Sequence, residues 1–351
     1  MEASSLIFIG TYTHGASRGI YTARLNHATG ALSEPTAAAT TGNPTYLAFS
    51  PDKRFLYAVR DTASQAAAFA IDAGSGGLTP LSTAPSPAGI APCHIAVDRT
   101  GKTVLVSNYH DPLVATLAVL GDGSLGPPRI IRHAGHGPNP ERQATAHVHS
   151  ANVSPDNRFA LVCDLGLDKV FSYRLDAARA ELAPPEAPFA VTAPGAGPRH
   201  LVFADAGRRA YVINEIDSTI AGYDYDAATG TLSVTQVIST LPADFAGKTK
   251  TAEIALHPNG KFLYGSNRGH DSIAVFAVAG GTGALSLVEI VPSGGACPRC
   301  FAISPDGAWL ISANQESNSL TTFRLDPSTG RLTPVGKPVS VPEPVCVLFY
   351  N

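Results

Sequence analysis

The sequence predicts an all-β fold, a seven-bladed β-propeller with four antiparallel strands per blade and a ring closed by N- and C-terminal segments that share one blade. Three observations predict it. One segment recurs six times at a mean spacing of about 50 residues, a period typical of propellers, solenoids and arrays. Each copy continues into a third apolar run and a glycine turn, and each end of the chain carries a partial copy.

The recurring segment is an apolar run, a polar turn and a second apolar run, which indicates two strands joined by a tight turn. The runs alternate in polarity, are rich in Val, Ile, Phe and Tyr, and flank turns of the Asp-Gly or Asn-Gly type. The six copies, in chain order, are "AFSPDKRFLYAVRD" (48–61), "AVDRTGKTVLVSNY" (96–109), "NVSPDNRFALVCDL" (152–165), "VFADAGRRAYVINE" (202–215), "ALHPNGKFLYGSNR" (255–268) and "AISPDGAWLISANQ" (302–315).

A third and a fourth strand follow each copy. "DKVFSYRLD" and "STIAGYDYD" are typical third strands, and "ATGTLS" and "STGRLT" turn through glycine into a short fourth strand. Residues 7–33 supply a second, third and fourth strand, and residues 342–351 resemble a first strand. Pairing these two ends in one blade leaves no open sheet edge, so we expect a single domain over 1–351. Two β-sandwiches, the alternative, leave the split copy unexplained.

The composition argues against nucleic-acid and membrane partners. The 351 residues are 44% apolar and 15% charged, with a formal net charge of −3. The sequence has no basic stripe, no basic amphipathic helix and no long apolar run that would span a bilayer. The first residues lack a basic region followed by an apolar stretch, and the five cysteines are scattered. Both features predict a cytoplasmic location.

The geometry of a blade brings particular polar residues together. The first strand runs along the central channel and the second returns beside it, so the start of one and the end of the other meet at the same rim. Arg199 begins a first strand and Glu215 ends the second, with equal strand lengths at about 3.4 Å per residue. The same offset gives the other rim pairs, which are Thr45 with Asp61, Cys93 with Tyr109, His149 with Leu165, Ala252 with Arg268, and Arg299 with Gln315.

Charged and strongly polar side chains are concentrated at this rim in adjacent blades. They are His149, Arg199, Glu215, Arg268 and Arg299. Three arginines, a histidine and a carboxylate that face one channel mouth suit a small anionic molecule, because the guanidinium fork matches carboxylate or phosphate.

Two long insertions, at 132–149 and 241–253, precede first strands and are expected to lie over the same mouth. They add Arg142, Lys248 and Lys250 to the positive charge there.

With these motifs the sequence resembles a known family, the seven-bladed lactonase propellers. This family includes propeller-type 6-phosphogluconolactonases and the 3-carboxy-cis,cis-muconate lactonizing enzyme. The resemblance covers essentially the whole chain, and the combination of "HVHS…CDLGLDKV" with "GPRH…INE" and "SNRGHDS" carries it. A histidine, an arginine, a glutamate and a further arginine form the proposed site of that family. By motif, the resemblance implies His149, Arg199, Glu215 and Arg268 as catalytic residues here.

The resemblance implies a small anionic lactone or diacid as the partner, and no cofactor or metal. In a lactonase, Arg199 and Arg268 hold the substrate and polarise its carbonyl, while His149 or Glu215 activates water. In a carboxy-cis,cis-muconate cycloisomerase, the same arginines clamp carboxylates and His149 or Glu215 moves a carbon-bound proton. We favour a metal-independent lactonase; a cycloisomerase and a non-catalytic binding propeller are the alternatives, since a fold alone does not fix function.

Further polar residues next to the rim are predicted to bind substrate, allowing for a slip in register: His147, His200, Arg299, Asn267, Tyr109 and His94. His147 and His200 have a structural alternative, hydrogen bonds to a neighbouring blade. Arg199 and Glu215 have another, a salt bridge that only ties two strands together.

Two other motifs have structural explanations. Asp164 and Asp168 in "CDLGLDKV" are expected to close a turn rather than to bind substrate. "CPRC" (297–300) has the spacing of a metal or redox pair, but no second pair of cysteines or histidines accompanies it. We therefore predict no metal at these cysteines.

Overall fold

In five of the seven sheets of the described residues, four strands that follow one another along the chain pair side by side, as the repeated apolar runs predict. The structure is a computed structural model that describes residues 4–61, 64–85, 92–184 and 189–350. These residues contain seven sheets, strands β1 to β29 in chain order, and a short 3₁₀ turn at Asp205–Gly207. No helical segment among them has the length and apolarity that a bilayer crossing requires.

The first strands of the blades surround a central channel. They are β4 (Leu47–Phe49), β8 (Pro92–Val97), β12 (Val148–Val153), β17 (Pro198–Ala204), β21 (Lys250–Leu256), β25 (Pro298–Ile303) and β29 (Pro344–Tyr350). Each contacts the first strands of the blades on either side, and β29 contacts β4, so the ring is closed.

The remaining strands extend each blade outward. The second strands are β5 (Phe55–Arg60), β9 (Thr103–Asn108), β13 (Phe159–Asp164), β18 (Arg209–Asn214), β22 (Phe262–Arg268), β26 (Trp309–Asn314) and β1 (Ser4–Thr11). The third strands are β6 (Gln65–Ile71), β10 (Leu113–Val119), β14 (Lys169–Asp176), β19 (Thr219–Asp226), β23 (Ser272–Val278), β27 (Ser319–Leu325) and β2 (Gly19–Asn26). The fourth strands are β7 (Leu78–Pro85), β11 (Leu125–Arg132), β15 (Glu181–Ala183), β16 (Phe189–Val191), β20 (Thr231–Ser239), β24 (Leu285–Pro292), β28 (Leu332–Ser340) and β3 (Thr36–Thr40).

The two chain ends share one blade, which confirms the predicted closure. In this sheet β29 is the first strand and pairs antiparallel with β1, with Ile9 opposite Val347. One blade departs from the four-strand pattern, because its outer strand consists of the two short pieces β15 and β16, which both pair with β14.

Apolar clusters between neighbouring blades hold the ring together. One of them packs Ile7 and Ile9 of the closing blade against Trp309 and Ile311 of the preceding blade. The turn glycine Gly30, with φ of +74°, lies over this Trp309 ring, and a Cβ built there would come within 2.3 Å of a ring carbon. The glycine turns predicted between third and fourth strands therefore also serve blade-to-blade packing.

A recurring irregularity of the first strands shapes the channel mouth. In five blades the register skips one residue near the start of the first strand, so that this residue has no partner on the second strand. Such a bulge re-aims a side chain and bends the strand. The skipped residues are Cys93, His149, Arg199, Arg299 and Val345.

The bulges also mean that four of the predicted rim pairs are not strand partners, since each contains one of the skipped residues Cys93, His149, Arg199 and Arg299. The pairing of Ala252 with Arg268 is wrong, because Lys250 lies opposite Arg268 and the next regular pair after Thr251 begins at Ile254. The β21 strand has one more residue than β22 between these two pairs, and the sequence offset could not reveal where that residue lies.

Candidate active site

A cavity of about 250 Å³ lies at the channel mouth where the bulges occur. All five skipped residues of the first strands line it. The ends of the second strands and the loops that follow them contribute Asp61, Tyr109, His110, Glu215 and Arg268. The predicted convergence of distant segments on one polar cavity is therefore present in the structure.

Glu215 is the centre of an arginine cluster in this cavity. Arg199 Nε donates to its Oε2 at 3.0 Å, and Arg268 Nη2 donates to the same oxygen at 2.8 Å. Arg142 Nη2, from the first inserted loop, donates to Oε1. The glutamate is only 5% exposed, so three cations share one buried carboxylate.

The charge state of Glu215 follows from these neighbours. Burial, the largest single influence, raises the pKa of this carboxyl, but the charged neighbours, led by Arg268 and Arg199, together outweigh it, and the net pKa lies well below its ordinary value. Glu215 is therefore a carboxylate at neutral pH. A carboxylate that already accepts from three guanidinium groups is a weak base, and its main effect is to fix the arginines around it.

His149 stands beside this cluster as a neutral imidazole. Its Nε2 lies 4.0 Å from Glu215 Oε2, and its buried Nδ1 has no hydrogen-bond partner in the described part of the chain. Burial lowers the pKa of His149 well below its ordinary value, and the positive charge of Arg199 lowers it further. A neutral imidazole can accept a proton, and the nearby Glu215 carboxylate can stabilise the imidazolium that results.

Two other cations of the cavity are not committed to Glu215. Arg299 packs its guanidinium over the Tyr12 ring at 5.5 Å, and within the described residues the side chains of Arg299 and Lys250 make no hydrogen bond. Burial and the positive charges of Arg142, Arg268 and Arg299 lower the pKa of Lys250, although Glu215 opposes this. Positive charges held close together without direct salt bridges favour the binding of an anion.

Three of the predicted substrate-binding residues line the cavity: Arg299, His200 and Tyr109. The ring of Tyr109 stacks on His147, whose Nδ1 lies 2.8 Å from the Tyr109 carbonyl oxygen. His147 itself is not part of the cavity lining and serves to hold Tyr109 in place.

His94 and Asn267 also lie behind the cavity wall. The His94 ring packs at a tilt against Tyr46 and edge-to-face against His200, within the ring of first strands. Asn267 is completely buried, where its amide donates to the carbonyl oxygen of Thr240 and to Ser272. The structure does not bring either side chain to the cavity, because neighbouring residues of a strand point to opposite sides.

The inserted loops differ in what they place at the mouth. Arg142 and Lys250 line the cavity, whereas Lys248 is exposed and does not. The loop of Arg142 is held by Gln143, whose amide donates to Asp168 Oδ1 at 2.7 Å. The sequence does not predict the direct contact of Arg142 with Glu215, because no sequence pattern gives the path of a loop.

The aspartates and cysteines of the weaker motifs have structural roles. Asp164 Oδ1 accepts the backbone N–H of His147 and Gly166, and so closes the turn as predicted. Cys93 lines the cavity, but burial raises its pKa to about 12, which keeps the thiol protonated. Among the residues that the structure describes, no three His, Cys, Asp or Glu side chains come together in the manner of a metal site.

Comparison with known proteins gives one consistent family. The family described as "Lactonase, 7-bladed beta-propeller" matches residues 6–349. The chain is 40% identical over 348 residues to the 6-phosphogluconolactonase of Bacillus subtilis (strain 168), covering 98% of each protein.

Solved structures agree. The Pseudomonas aeruginosa periplasmic gluconolactonase matches with a TM-score of 0.94 at 34% identity, over 99% of both chains. A putative 6-phosphogluconolactonase from Bacteroides fragilis matches with a TM-score of 0.93 at 34% identity, over 100% of this chain and 99% of that one. This chain therefore belongs to the seven-bladed β-propeller lactonase family.

Proposed function

We propose that this protein hydrolyses an anionic sugar lactone, of the 6-phosphogluconolactone type, without a metal ion. The observation that carries the proposal is the cavity itself, in which neutral His149 stands beside a Glu215 carboxylate held by three arginines. The similarity to proteins named 6-phosphogluconolactonase and gluconolactonase supports the same reaction class.

In the proposed reaction, Arg199 and Arg268 stabilise the negative charge that develops on the lactone carbonyl oxygen. Donors that are fixed before the reaction are worth most in such a role. Glu215 fixes both guanidinium groups, and Arg268 retains a buried Nε–H that has no partner in the described part of the chain. The carbonyl oxygen of the substrate would accept from N–H groups of Arg199 and Arg268, since both residues line the cavity.

We propose His149 rather than Glu215 as the general base, because its neutral imidazole can accept a proton, whereas the Glu215 carboxylate is engaged by three arginines. His149 removes a proton from water while the water oxygen forms a bond to the lactone carbonyl carbon. The tetrahedral intermediate then collapses, the bond to the ring oxygen breaks, and the ring oxygen takes the proton from the imidazolium. Glu215, which lies 4.0 Å from His149 Nε2, stabilises this imidazolium in between.

A second anionic group of the substrate would bind to Arg299 and Lys250. Both cations line the cavity without a hydrogen bond to any described residue, while Arg142, Arg199 and Arg268 are engaged by Glu215. An uncommitted guanidinium and ammonium form a suitable site for a phosphoryl group. This division of the cations supports a phosphorylated lactone over a neutral one.

Metal independence is supported by the charge of the cavity. Five cationic side chains and two carboxyls line it, so a divalent cation would be repelled. The guanidinium groups supply the positive charge that a metal ion supplies in other hydrolases. We expect full activity in excess EDTA, and loss of activity there would contradict this part of the proposal.

The test is a pH-stat assay that follows proton release with 6-phosphogluconolactone and gluconolactone, corrected for spontaneous hydrolysis, and proton uptake with 3-carboxy-cis,cis-muconate, whose cyclisation consumes a proton. We expect rapid turnover of the phosphorylated lactone and an increase in its KM of about 10-fold or more in Arg299→Gln, the loss of one charge-assisted contact. Lys248→Gln, outside the cavity, is the matched control and should leave KM unchanged.

Three results would contradict the proposal. No turnover of either lactone above background would reject the lactonase. Equal kcat/KM for both lactones would reject the phosphoryl site at Arg299 and Lys250. Consumption of the muconate, with neither lactone hydrolysed, would identify the cycloisomerase instead.

The cytoplasmic location stays a prediction. One protein of similar structure is described as periplasmic. Fractionation of the native host with antibody detection would decide between the two compartments.

A further inference from the structure

We propose that Glu253 is a positioning residue, which fixes the tautomer of His200 and through it the orientation of Arg199 in the cavity. The catalytic consequence rests on the proposed lactone hydrolysis, whereas the tautomer itself does not. Neither the sequence motifs nor the family resemblance points to Glu253, which the sequence places at the end of an inserted loop.

Glu253 lies behind the cavity, in the irregular part of β21 between Thr251 and Ile254. Its side chain is 9% exposed, and it is not part of the cavity lining. Its backbone N–H donates to Ser266 Oγ at 3.0 Å, and its Oε1 accepts the N–H of Ile254 at 3.0 Å. The same Oε1 lies 2.9 Å from His200 Nδ1. The carboxylate is thus held rigidly against the imidazole.

The hydrogen-bond chemistry allows one tautomer of His200. Burial raises the pKa of Glu253, but its interactions with His200 and Arg199 outweigh burial and lower the net pKa, so the group is a carboxylate and can only accept. Burial lowers the pKa of His200, which makes the ring neutral at pH 7. His200 Nδ1 must therefore carry the proton, and Nε2 is left as an acceptor.

This acceptor faces Arg199. Arg199 Nη1 lies 3.1 Å from His200 Nε2 and 3.4 Å from His200 Nδ1, and because Nδ1 carries the proton only Nε2 can accept. Nη1 also donates to the carbonyl oxygen of Ala252 at 2.7 Å, so both of its hydrogens are used. Arg199 Nε donates to Glu215. Within the described part of the chain Nη2 has no partner, and since Arg199 lines the cavity, this is the edge that a substrate would meet.

Loss of the Glu253 carboxylate would change this arrangement. If the proton moved to His200 Nε2, an N–H would face the N–H of Arg199 Nη1, and the guanidinium would be pushed away from its present position. A displacement of about 1 Å in a group that stabilises the transition state can cost about 100-fold in rate. The carboxylate therefore acts on the reaction only through His200 and Arg199.

The direct test is the ¹⁵N spectrum of wild-type protein labelled in histidine, with His200 assigned by comparison with His200→Gln. We expect His200 as the Nδ1–H tautomer. An Nε2–H tautomer or a doubly protonated ring at pH 7 would overturn the proposal. This measurement needs no substrate, so it can fail or succeed independently of the lactonase assay.

The kinetic test is Glu253→Gln, an isosteric change whose amide can either donate or accept and so no longer fixes the tautomer. We expect kcat to fall by about 10- to 100-fold with little change in KM, because Arg199 acts on the transition state. We also expect a mixture of His200 tautomers. Unchanged kcat in a folded Glu253→Gln protein would overturn the proposed role.

The chain offers a matched control in a second buried histidine–carboxylate pair. His133 Nδ1 lies 2.7 Å from Asp164 Oδ2, and neither residue lines the cavity. His133→Gln should lower the urea midpoint of unfolding and leave kcat unchanged. If His133→Gln lowered kcat as much as Glu253→Gln does, the effect would be one of general stability, and the positioning role would be rejected.

Discussion

Replacing Glu215 with glutamine keeps the shape of the side chain and removes the one charge that Arg142, Arg199 and Arg268 share. Two of these arginines donate to the same carboxylate oxygen at 3.0 and 2.8 Å, and the third donates to the other oxygen. An amide has a single acceptor oxygen, so its NH₂ group must face at least one guanidinium donor. Removal of one partner from a buried ion pair costs about 3–5 kcal/mol. We expect the free energy of unfolding to fall by that amount.

The assay is urea unfolding followed by the fluorescence of Trp309, which is the one tryptophan of the sequence and is buried between two blades. Asp224→Asn is the matched control, because it removes the 59% exposed partner of Arg209. The control should lose less than about 1 kcal/mol. Inorganic phosphate should restore part of the loss in Glu215→Gln, since the cavity then holds an uncompensated cluster of cations. A loss in Glu215→Gln no larger than in the control would refute the electrostatic account of the site.

Two further predictions concern stability. Burial lowers the pKa of three histidines, His94, His149 and His200. Below the ordinary histidine pKa of about 6.5, these histidines bind protons in the unfolded chain but not in the folded protein. The free energy of unfolding should therefore fall by up to about 1.4 kcal/mol per pH unit for each histidine. Equal free energies of unfolding at pH 7.5 and pH 5.5 would contradict this. Gly30→Ala should lower the free energy of unfolding by about 1–3 kcal/mol, because the new Cβ would meet the Trp309 ring. Gly281 has a similar φ of +81° and open space around it, so Gly281→Ala measures the backbone strain alone. Equal losses in the two variants would reject the packing contribution.

Much of the fold could be predicted because the repeats carry local signals. The alternation of apolar residues gives the strands, glycine turns give the blade edges, and the partial copies at the two ends give the closure that β29 and β1 form. The register of the strands near the channel mouth is harder to predict from the sequence. The bulge positions in five first strands hold residues as different as Cys93 and Arg299, so no common residue type marks them.

The site was predictable where strand geometry alone decides it. His149, Arg199, Glu215 and Arg268 converge because first strands begin and second strands end at the same rim. His94, His147 and Asn267 were predicted to bind substrate but lie behind the wall, since a shift of one residue turns a side chain to the other face.

The contributions of Arg142 and Glu253 could not be predicted from strand geometry. Arg142 reaches Glu215 from a loop, and the position of that loop depends on side-chain hydrogen bonds such as that from Gln143 to Asp168. Glu253 acts from an irregular stretch of β21, whose register the sequence does not reveal. Both residues are placed by tertiary contacts that leave no periodic signal in the chain.

The measurement that tests the central claim most directly compares wild type with His149→Gln, using 6-phosphogluconolactone turnover in a pH-stat and 6-phosphogluconate binding by calorimetry. If the neutral imidazole beside the arginine-held carboxylate activates water, kcat should fall by about 10²- to 10⁴-fold in His149→Gln. The Kd of the product should remain close to that of wild type, because the cations that bind it are intact. A folded His149→Gln protein that turns over the lactone at the wild-type rate would contradict the account.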